Sequence, residues 1–271
     1  MTAVVTRRRP LPITRRLLRE GTRGLLGWAL GLTAVALLYL PLFPSMQTPE
    51  LQGLLDSLPP ELIRTLGYEN ITSGSGYAQS TFFGLLGFVL LTIAGVAWAA
   101  AVTGGAEESG QLELTLAHAV GRTPYALQAA FALLLKLCLL GAVAWAVVWA
   151  LNSPAELALD PGNLLAVVAS WVGLGLFSAS AAFAGGALSG RRIVAVGAGA
   201  GVAVAGYGLQ AVANNSETLE VLRAFSPYAW AFGQAPLAQG WDLPGLAALW
   251  LGSAALVAVG TAALARRDIL G

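Results

Sequence analysis

The residues that could form ionic contacts with a partner are concentrated in one short segment. Between two long apolar runs, the stretch 104–122 carries the charged residues Glu107, Glu108, Glu113 and Arg122. Leu112 and Leu116 are one helical turn apart and therefore share a helix face. Charges beside a leucine face are typical of a short amphipathic helix that meets a soluble partner. A plain loop whose charges only keep it out of the bilayer is an equal alternative on periodicity alone.

Groups suited to covalent or metal chemistry are scarce. His118 is the only histidine and Cys138 the only cysteine, so no metal cluster or intrachain disulfide can form. No Ser/His or Asp/Asp pair shares one depth within the apolar runs, as intramembrane proteolysis would require. Lys136 is the only lysine, which excludes a G-x-x-x-x-G-K-[ST] phosphate loop. We therefore expect no catalytic residue, no metal site and no cofactor in this chain.

Lys136 is the only charge deep within an apolar run. Such a residue usually faces the bundle interior, a cavity or another charge. Alternatively, its long stem can carry the ammonium to the membrane surface. Lys136 lies about 12 residues, roughly 18 Å along a helix, beyond Pro124, which is far for that alternative unless the span begins late. The neighbouring Cys138 is expected to be a small buried apolar residue.

The composition indicates an all-α membrane protein. Hydrophobic residues make up 56% of the chain and charged residues 11%, with a mean hydropathy of +0.71. A bilayer crossing needs about 20 apolar residues in a helix, because the backbone must satisfy its own hydrogen bonds there. The sequence predicts one domain, 1–271, with six transmembrane helices at 25–43, 79–102, 125–151, 164–188, 193–213 and 243–265.

The distribution of arginines predicts the orientation. Basic residues cluster in segment 1–24, at Arg122, at Arg191-Arg192 and near the C-terminal end, whereas the intervening loops 46–78 and 214–242 are mainly acidic. Positive charge stays on the cytoplasmic side, so both termini and the segment 104–122 are expected there. Leu17 and Leu18, set among the arginines, suit an amphipathic helix on the inner surface.

The two outer loops are more than polar connections. In the first, leucines at helical spacing around Pro59-Pro60 predict two short amphipathic helices. In the second, the element Ser226-Pro227-Tyr228 precedes a tryptophan-rich stretch. Small residues recur along 178–190 and again in the fifth run, at Gly197, Gly199, Gly201, Ala205 and Gly206. They predict close helix packing, either within the chain or between two copies.

The segment 104–122 resembles the loop after the second membrane helix of ABC-2 type transporter permeases. The matching positions are Glu107, Gly110, Leu112, Glu113, Thr115-Leu116-Ala117, Val120 and Arg122. Ala119 stands where the family commonly has proline, and Thr115 where leucine is common. Ser226-Pro227-Tyr228 is similar to the family's S-P-[FY] element before the last span. The ending Arg266-Arg267-Asp268-Ile269 is similar to its R-R-D-I tail.

The resemblance implies the membrane subunit of an ATP-driven exporter with ABC-2 (type V exporter-like) architecture and an N-terminal elbow helix. It implies a separate cytoplasmic ATPase carrying ATP and Mg²⁺, and a second permease chain, identical or not. The membrane would be the bacterial plasma membrane, and no nucleic acid would bind. The cargo would be hydrophobic or amphipathic: a drug, an antibiotic or a lipid-like molecule.

The resemblance also nominates functional residues. The partner-coupling residues would be Glu107, Glu108, Gly110, Leu112, Glu113, Leu116 and Arg122. The translocation path or subunit interface would include Lys136, Ser226, Pro227 and Tyr228. Two other functions are compatible with the sequence. One is a membrane assembly factor or sensor that uses an ATPase without transporting. The other is a secondary transporter, although internal repeats and charged midplane helices are weak here.

Overall fold

The computed structural model describes residues 11–47, 72–117, 121–215 and 217–267. Within these residues all regular secondary structure is helical. Six stretches, called spans 1 to 6, are long and apolar enough to cross a membrane: Thr22–Ser45, Gly74–Val102, Arg122–Asn152, Pro161–Ser189, Arg192–Asn214 and Leu243–Arg266. Their length and composition confirm the prediction of an all-α, multi-pass membrane protein with six spans.

Shorter helices connect or flank the spans. An N-terminal helix covers Pro12–Glu20, and span 1 combines an α-helix, Thr22–Tyr39, with most of the 3₁₀ segment Leu40–Gln47. Span 2 is divided into Gly74–Tyr77, a π-helical stretch Ala78–Leu86, and Gly87–Val102. The remaining short helices are Gly104–Glu108, Gln111–Leu116, the 3₁₀ segment Glu217–Phe225, Pro227–Phe232 and Pro236–Gln239.

The start of span 2 differs most from its predicted boundary, and spans 1, 3 and 4 each begin three residues earlier than predicted. Span 2 begins at Gly74 rather than near residue 79, because the Ser73 hydroxyl caps the helix by accepting a 3.0 Å hydrogen bond from the Gly76 N–H. Span 3 begins at Arg122 rather than at Tyr125. Pro124 then lies in the first turn, where its missing N–H costs no intrahelical hydrogen bond.

Span 4 is the centre of the bundle and packs against spans 2, 3, 5 and 6. In its most apolar window 83% of the residues are buried, against 17% in span 1 and 22% in spans 5 and 6. The Trp171 ring of span 4 lies edge-on to Phe83, with ring centroids 5.8 Å apart. Gly175 allows close approach to span 2, since a Cβ there would lie 2.5 Å from Leu91 Cδ2.

The N-terminal helix is held against span 3. The Ile13 N–H donates to Gln128 Oε1 over 3.0 Å, and the Thr14 hydroxyl donates to the Gln128 carbonyl over 2.9 Å. Ile13 and Thr14 are buried, whereas the arginines of this helix are exposed. The helix is therefore amphipathic and fixed to the bundle. Its position on the inner membrane surface stays a prediction.

One sequence expectation was wrong: Cys138 is exposed on the side of span 3 rather than buried. Leu137 and Leu140 occupy the core positions of that turn, and Cys138 and Leu139 lie between them on the outer face. Other expectations fall outside the described residues. These are the basic residues Arg7, Arg8 and Arg9, the two helices expected around Pro59-Pro60, His118, Ala119, Val120 and the final Asp268-Ile269.

Candidate partner-docking site

The segment after span 2 folds into two short helices because the backbone turns sharply at two positions. At Thr103 (φ −117°, ψ −103°) the chain leaves span 2 and enters Gly104–Glu108. Gly104 is required at this point, since a Cβ there would lie 2.3 Å from the carbonyl carbon of Arg191. Gly110 adopts a left-handed conformation (φ 69°) and starts the second helix, Gln111–Leu116. We call residues 104–117 the coupling segment.

An ionic cluster ties the coupling segment to the end of span 6. Glu107 forms an ion pair with Arg267, and these side chains are only 11% and 25% exposed, respectively. The Arg122 guanidinium at the start of span 3 donates to the Arg267 carbonyl over 2.7 Å. The start of span 3, the end of span 6 and the coupling segment are thus connected through Arg267.

The turn between spans 4 and 5 joins the same cluster. The Arg192 N–H donates to Glu108 Oε1 over 2.9 Å. Gly190 has a left-handed backbone (φ 68°), and a Cβ there would lie 2.4 Å from Glu107 Oε1. The Glu107 carboxylate therefore packs directly over the turn. Glu107 and Glu108 both make contacts within the chain. Glu108 and Glu113 are the exposed acidic residues of the coupling segment, and Glu113 is the one on its second helix.

The leucines of the second helix have different surroundings. Leu112 is fully buried in the core, and Leu116 is partly buried against it. Leu114 points outward and is 67% exposed, next to the exposed Glu113. The shared face of Leu112 and Leu116 thus packs within this chain. The outward surface consists of Gln111, Glu113, Leu114 and Ala117.

Lys136 lies inside the chain at the junction between the N-terminal helix and span 1. The residue is 5% exposed, and its Nζ lies 5.0 Å from the centroid of the Trp98 ring. A Cβ at Gly21 would be 2.5 Å from this nitrogen, so the ammonium sits directly under the bend that precedes span 1. The side chain reaches back toward the level at which span 1 begins. A role in a translocation path or subunit interface stays untested.

The Ser226-Pro227-Tyr228 element locks the second outer loop onto spans 2 and 5. The Ser226 hydroxyl donates to the Gly206 carbonyl over 2.6 Å and accepts from the Ala229 N–H, so it also caps the helix Pro227–Phe232. The Tyr228 hydroxyl donates over 2.9 Å to the carbonyl of Gly84, within the π-helical stretch of span 2. The π-helical stretch and the loop are therefore linked by a side-chain hydrogen bond.

The structure thus brings Glu107, Glu108 and Arg122 together, and places Lys136 and the Ser226–Tyr228 element elsewhere. Arg267, Arg192 and Leu114 are site residues that the sequence interpretation did not nominate. Opposite charges on two segments expected on the same side of the membrane are the signal that pairs Glu107 with Arg267. Among the described residues, no group of three or more His, Cys, Asp or Glu side chains could hold a metal ion.

No family model matches the chain, and a search of curated proteins found no match.

Proposed function

We propose that this chain is the membrane subunit of an ATP-driven exporter of the ABC-2 type, in which two membrane chains pair and a separate ATPase docks under each. The observation that carries the proposal is the construction of the coupling segment. Its outer surface presents Glu113 and Leu114, while its inner contacts reach the ends of spans 5 and 6 and, through Arg267, the start of span 3. A segment anchored in this way is suited to transmit the movement of a bound ATPase to the spans.

In this proposal, ATP-driven closure of the ATPase pair moves the coupling segment, and the buried Leu112 transmits the movement to the core. The Glu107–Arg267 pair passes it to span 6, and Arg122 to span 3. Such coupling requires contacts that differ in free energy between the two states of the transporter. The polar contacts around Arg267 are suited to this, because they join separate elements through side chains.

The cargo class follows from the character of the spans. Mean hydropathy lies between 1.5 and 2.4 across the six spans, and lysine is present only at position 136. A path between such helices offers few groups that could replace the hydration shell of a highly charged solute. We therefore propose a hydrophobic or amphipathic cargo, moved out of the cytoplasm.

The test is co-purification of the tagged chain, expressed with the genes that flank its own, in a mild detergent. We expect a Walker-motif ATPase to remain bound, and the outward double variant Glu113→Lys, Leu114→Asp to release it. The matched control is Glu220→Lys, an exposed acidic position on the second outer loop. Retention by the outward variant, or loss in the control, would contradict the docking surface.

The second part of the test measures transport in proteoliposomes. The wild-type complex should show cargo-stimulated ATP hydrolysis and ATP-dependent movement of an amphipathic dye. A bound ATPase without any transport would instead favour the assembly or sensor function. A chain that purifies alone and transports under an ion gradient would favour a secondary transporter.

A further inference from the structure

Lys136 carries an ammonium that is buried without an acidic partner among the described residues. Its side chain is 5% exposed, and no hydrogen bond or ion pair joins its Nζ to a residue that the structure describes. The Trp98 ring, 5.0 Å away, supplies a cation–π contact. A desolvated ammonium normally requires a countercharge as well. The site is therefore electrostatically incomplete.

A second hydrogen-bond donor, the Trp98 indole N–H, lies beside the same bend. A Cβ at Gly24 would lie 3.8 Å from Trp98 Nε1, just as a Cβ at Gly21 would meet Lys136 Nζ. The indole N–H, like the ammonium, makes no hydrogen bond with the residues described. The Leu17 carbonyl at this bend already accepts from the Gly21 N–H over 3.1 Å. The bend thus offers two unused donors and an occupied acceptor.

The two glycines let these donors lie close to the backbone of the bend. Gly21 joins the N-terminal helix to span 1, and Gly24 lies one turn further, exposed on the surface. A side chain at Gly21 would clash with the ammonium, which fills the space beside this glycine. Arg19 and Arg23 are exposed on either side of Gly21, so the surface around the bend carries positive charge. An anion would be attracted to this surface and would find the two donors at the bend.

The position of the bend fits the phosphate layer of the membrane. Gly21 directly precedes span 1, Thr22–Ser45, so it lies where the apolar part of the chain begins. Arginines at the end of a span favour the cytoplasmic surface, which is rich in anionic lipids. Span 3 also packs against the N-terminal helix through Gln128, which is closer to the start of span 3 than Lys136 is.

We propose that Lys136, Trp98 and the Gly21–Gly24 bend form a binding site for the phosphate group of an anionic lipid of the inner leaflet. The ammonium and the indole N–H donate to phosphate oxygens, and Arg19 and Arg23 attract the headgroup. The lipid would join the N-terminal helix and span 1 to spans 2 and 3. This inference is independent of the exporter function, because it concerns only the chain and the bilayer.

The experiment uses the purified full chain, delipidated in a neutral detergent and titrated with phosphatidylglycerol while its thermal unfolding is followed. We expect phosphatidylglycerol to raise the unfolding temperature of the wild type in a saturable manner, since a ligand of the folded state stabilises it. Phosphatidylcholine should have little effect. Lys136→Met and Trp98→Phe should each raise the half-saturating lipid concentration roughly tenfold or more, as expected when a charge-assisted hydrogen bond is lost.

The control is Arg266→Gln, which removes one exposed positive charge at the other end of the chain. It should titrate like the wild type, whereas a general attraction between opposite charges would be weakened equally by Arg266→Gln and Lys136→Met. Equal titration of Lys136→Met and the wild type would overturn the proposal. So would an equal stabilisation by inorganic phosphate, which would identify a site for a soluble anion. If Lys136→Met fails to fold, Trp98→Phe, which keeps an aromatic ring, decides the question.

Discussion

Leu112 and Leu114 are close in sequence but face opposite sides of the same short helix. Leu112 is fully buried, and Leu114 is 67% exposed. Substitution of a buried leucine by alanine removes apolar contacts and leaves a cavity, whereas an exposed substitution rarely matters to stability. The pair therefore separates two tasks of the coupling segment: anchoring in the core and contact with a partner.

We expect Leu112→Ala to lower the free energy of unfolding by about 3 kcal/mol and Leu114→Ala to change it by less than about 0.5 kcal/mol. The effect on binding of the proposed ATPase should be the reverse of the effect on stability. Leu114→Ala should weaken binding directly, in a chain that stays fully folded. Chemical unfolding in detergent measures the first effect, and pull-down the second. Equal loss of stability in both variants would show that the helix is packed differently.

The Glu107–Arg267 pair should be worth more than an ordinary surface ion pair. Its side chains are 11% and 25% exposed, whereas those of the Arg16–Glu20 pair are 56% and 58% exposed. Exposed pairs contribute between zero and about 1 kcal/mol, because water screens them. A partly buried pair that also supports other contacts is less screened.

A double-mutant cycle measures this difference. With Glu107→Gln and Arg267→Gln we expect a coupling free energy of about 1–2 kcal/mol, and with Arg16→Gln and Glu20→Gln about 0.5 kcal/mol or less. In the proposed exporter, Arg267→Gln should also reduce cargo-stimulated ATP hydrolysis more than it reduces ATPase binding. A coupling energy as small as that of the exposed pair would argue against a structural role for this contact.

At the scale of elements, span 5 has two kinds of glycine. A Cβ at Gly199 would lie 2.6 Å from Val96 Cγ2 and 2.8 Å from the Ser178 carbonyl oxygen, so this glycine allows spans 2, 4 and 5 to pack closely. At Gly197, Gly201 and Gly208 a Cβ would meet no atom within 4 Å. The open glycines line a face that has no neighbour within the described part of the chain.

We expect Gly199→Ala to destabilise the chain, because backbone atoms limit how far the neighbours can yield. Gly197→Ala should be neutral or stabilising by up to about 1 kcal/mol, the gain in helix propensity. Thermal unfolding of both variants in the same detergent measures the contrast. If two chains pair through the open face, Gly197→Leu should lower the fraction of dimer without lowering the stability of the monomer.

The helices could be predicted largely because membrane spans are determined locally. Length and apolar composition are sufficient to identify them, so the six spans agree with the sequence within a few residues. The irregular parts of span 2 could not be predicted in this way. The π-helical stretch Ala78–Leu86 is accompanied by a hydrogen bond from Tyr228, far along the chain, and a local pattern carries no information about such a partner.

The candidate site could be predicted only in part, for a related reason. The charges and leucines of the coupling segment indicate a short amphipathic helix, but not which side of it faces the core. Leu112 and Leu116 share a face in either case, and only the packing of spans 2 to 6 determines that this face is internal. The role of Arg267 likewise depends on contacts with Glu107 and Arg122, which are 160 and 145 residues away along the chain.

At the scale of the whole molecule, the arrangement predicts a topology that can be tested from both sides of the membrane. Glu113 on the coupling segment and Gln234 on the second outer loop are both exposed. The arginine distribution predicts that the former lies in the cytoplasm and the latter outside. The chain's only cysteine, Cys138, can first be replaced by alanine to provide a clean background.

In this background we expect Glu113→Cys to react with a membrane-impermeant maleimide only after the cells are opened. Gln234→Cys should react in intact spheroplasts. Each variant serves as the control of the other, since both positions are accessible once the membrane is dissolved. Reaction of both from the same side would contradict the three membrane crossings, spans 3 to 5, that separate the two positions along the chain.

The central position of span 4 has a consequence for biosynthesis. Spans enter the membrane in order during translation, yet span 4 makes its most extensive contact with span 6, which emerges last. Until then the part of span 4 that span 6 covers in the finished bundle would contact lipid or a chaperone. We expect an insertase to hold the nascent chain at this stage, and membrane proteases to remove chains in which translation stops between spans 4 and 6.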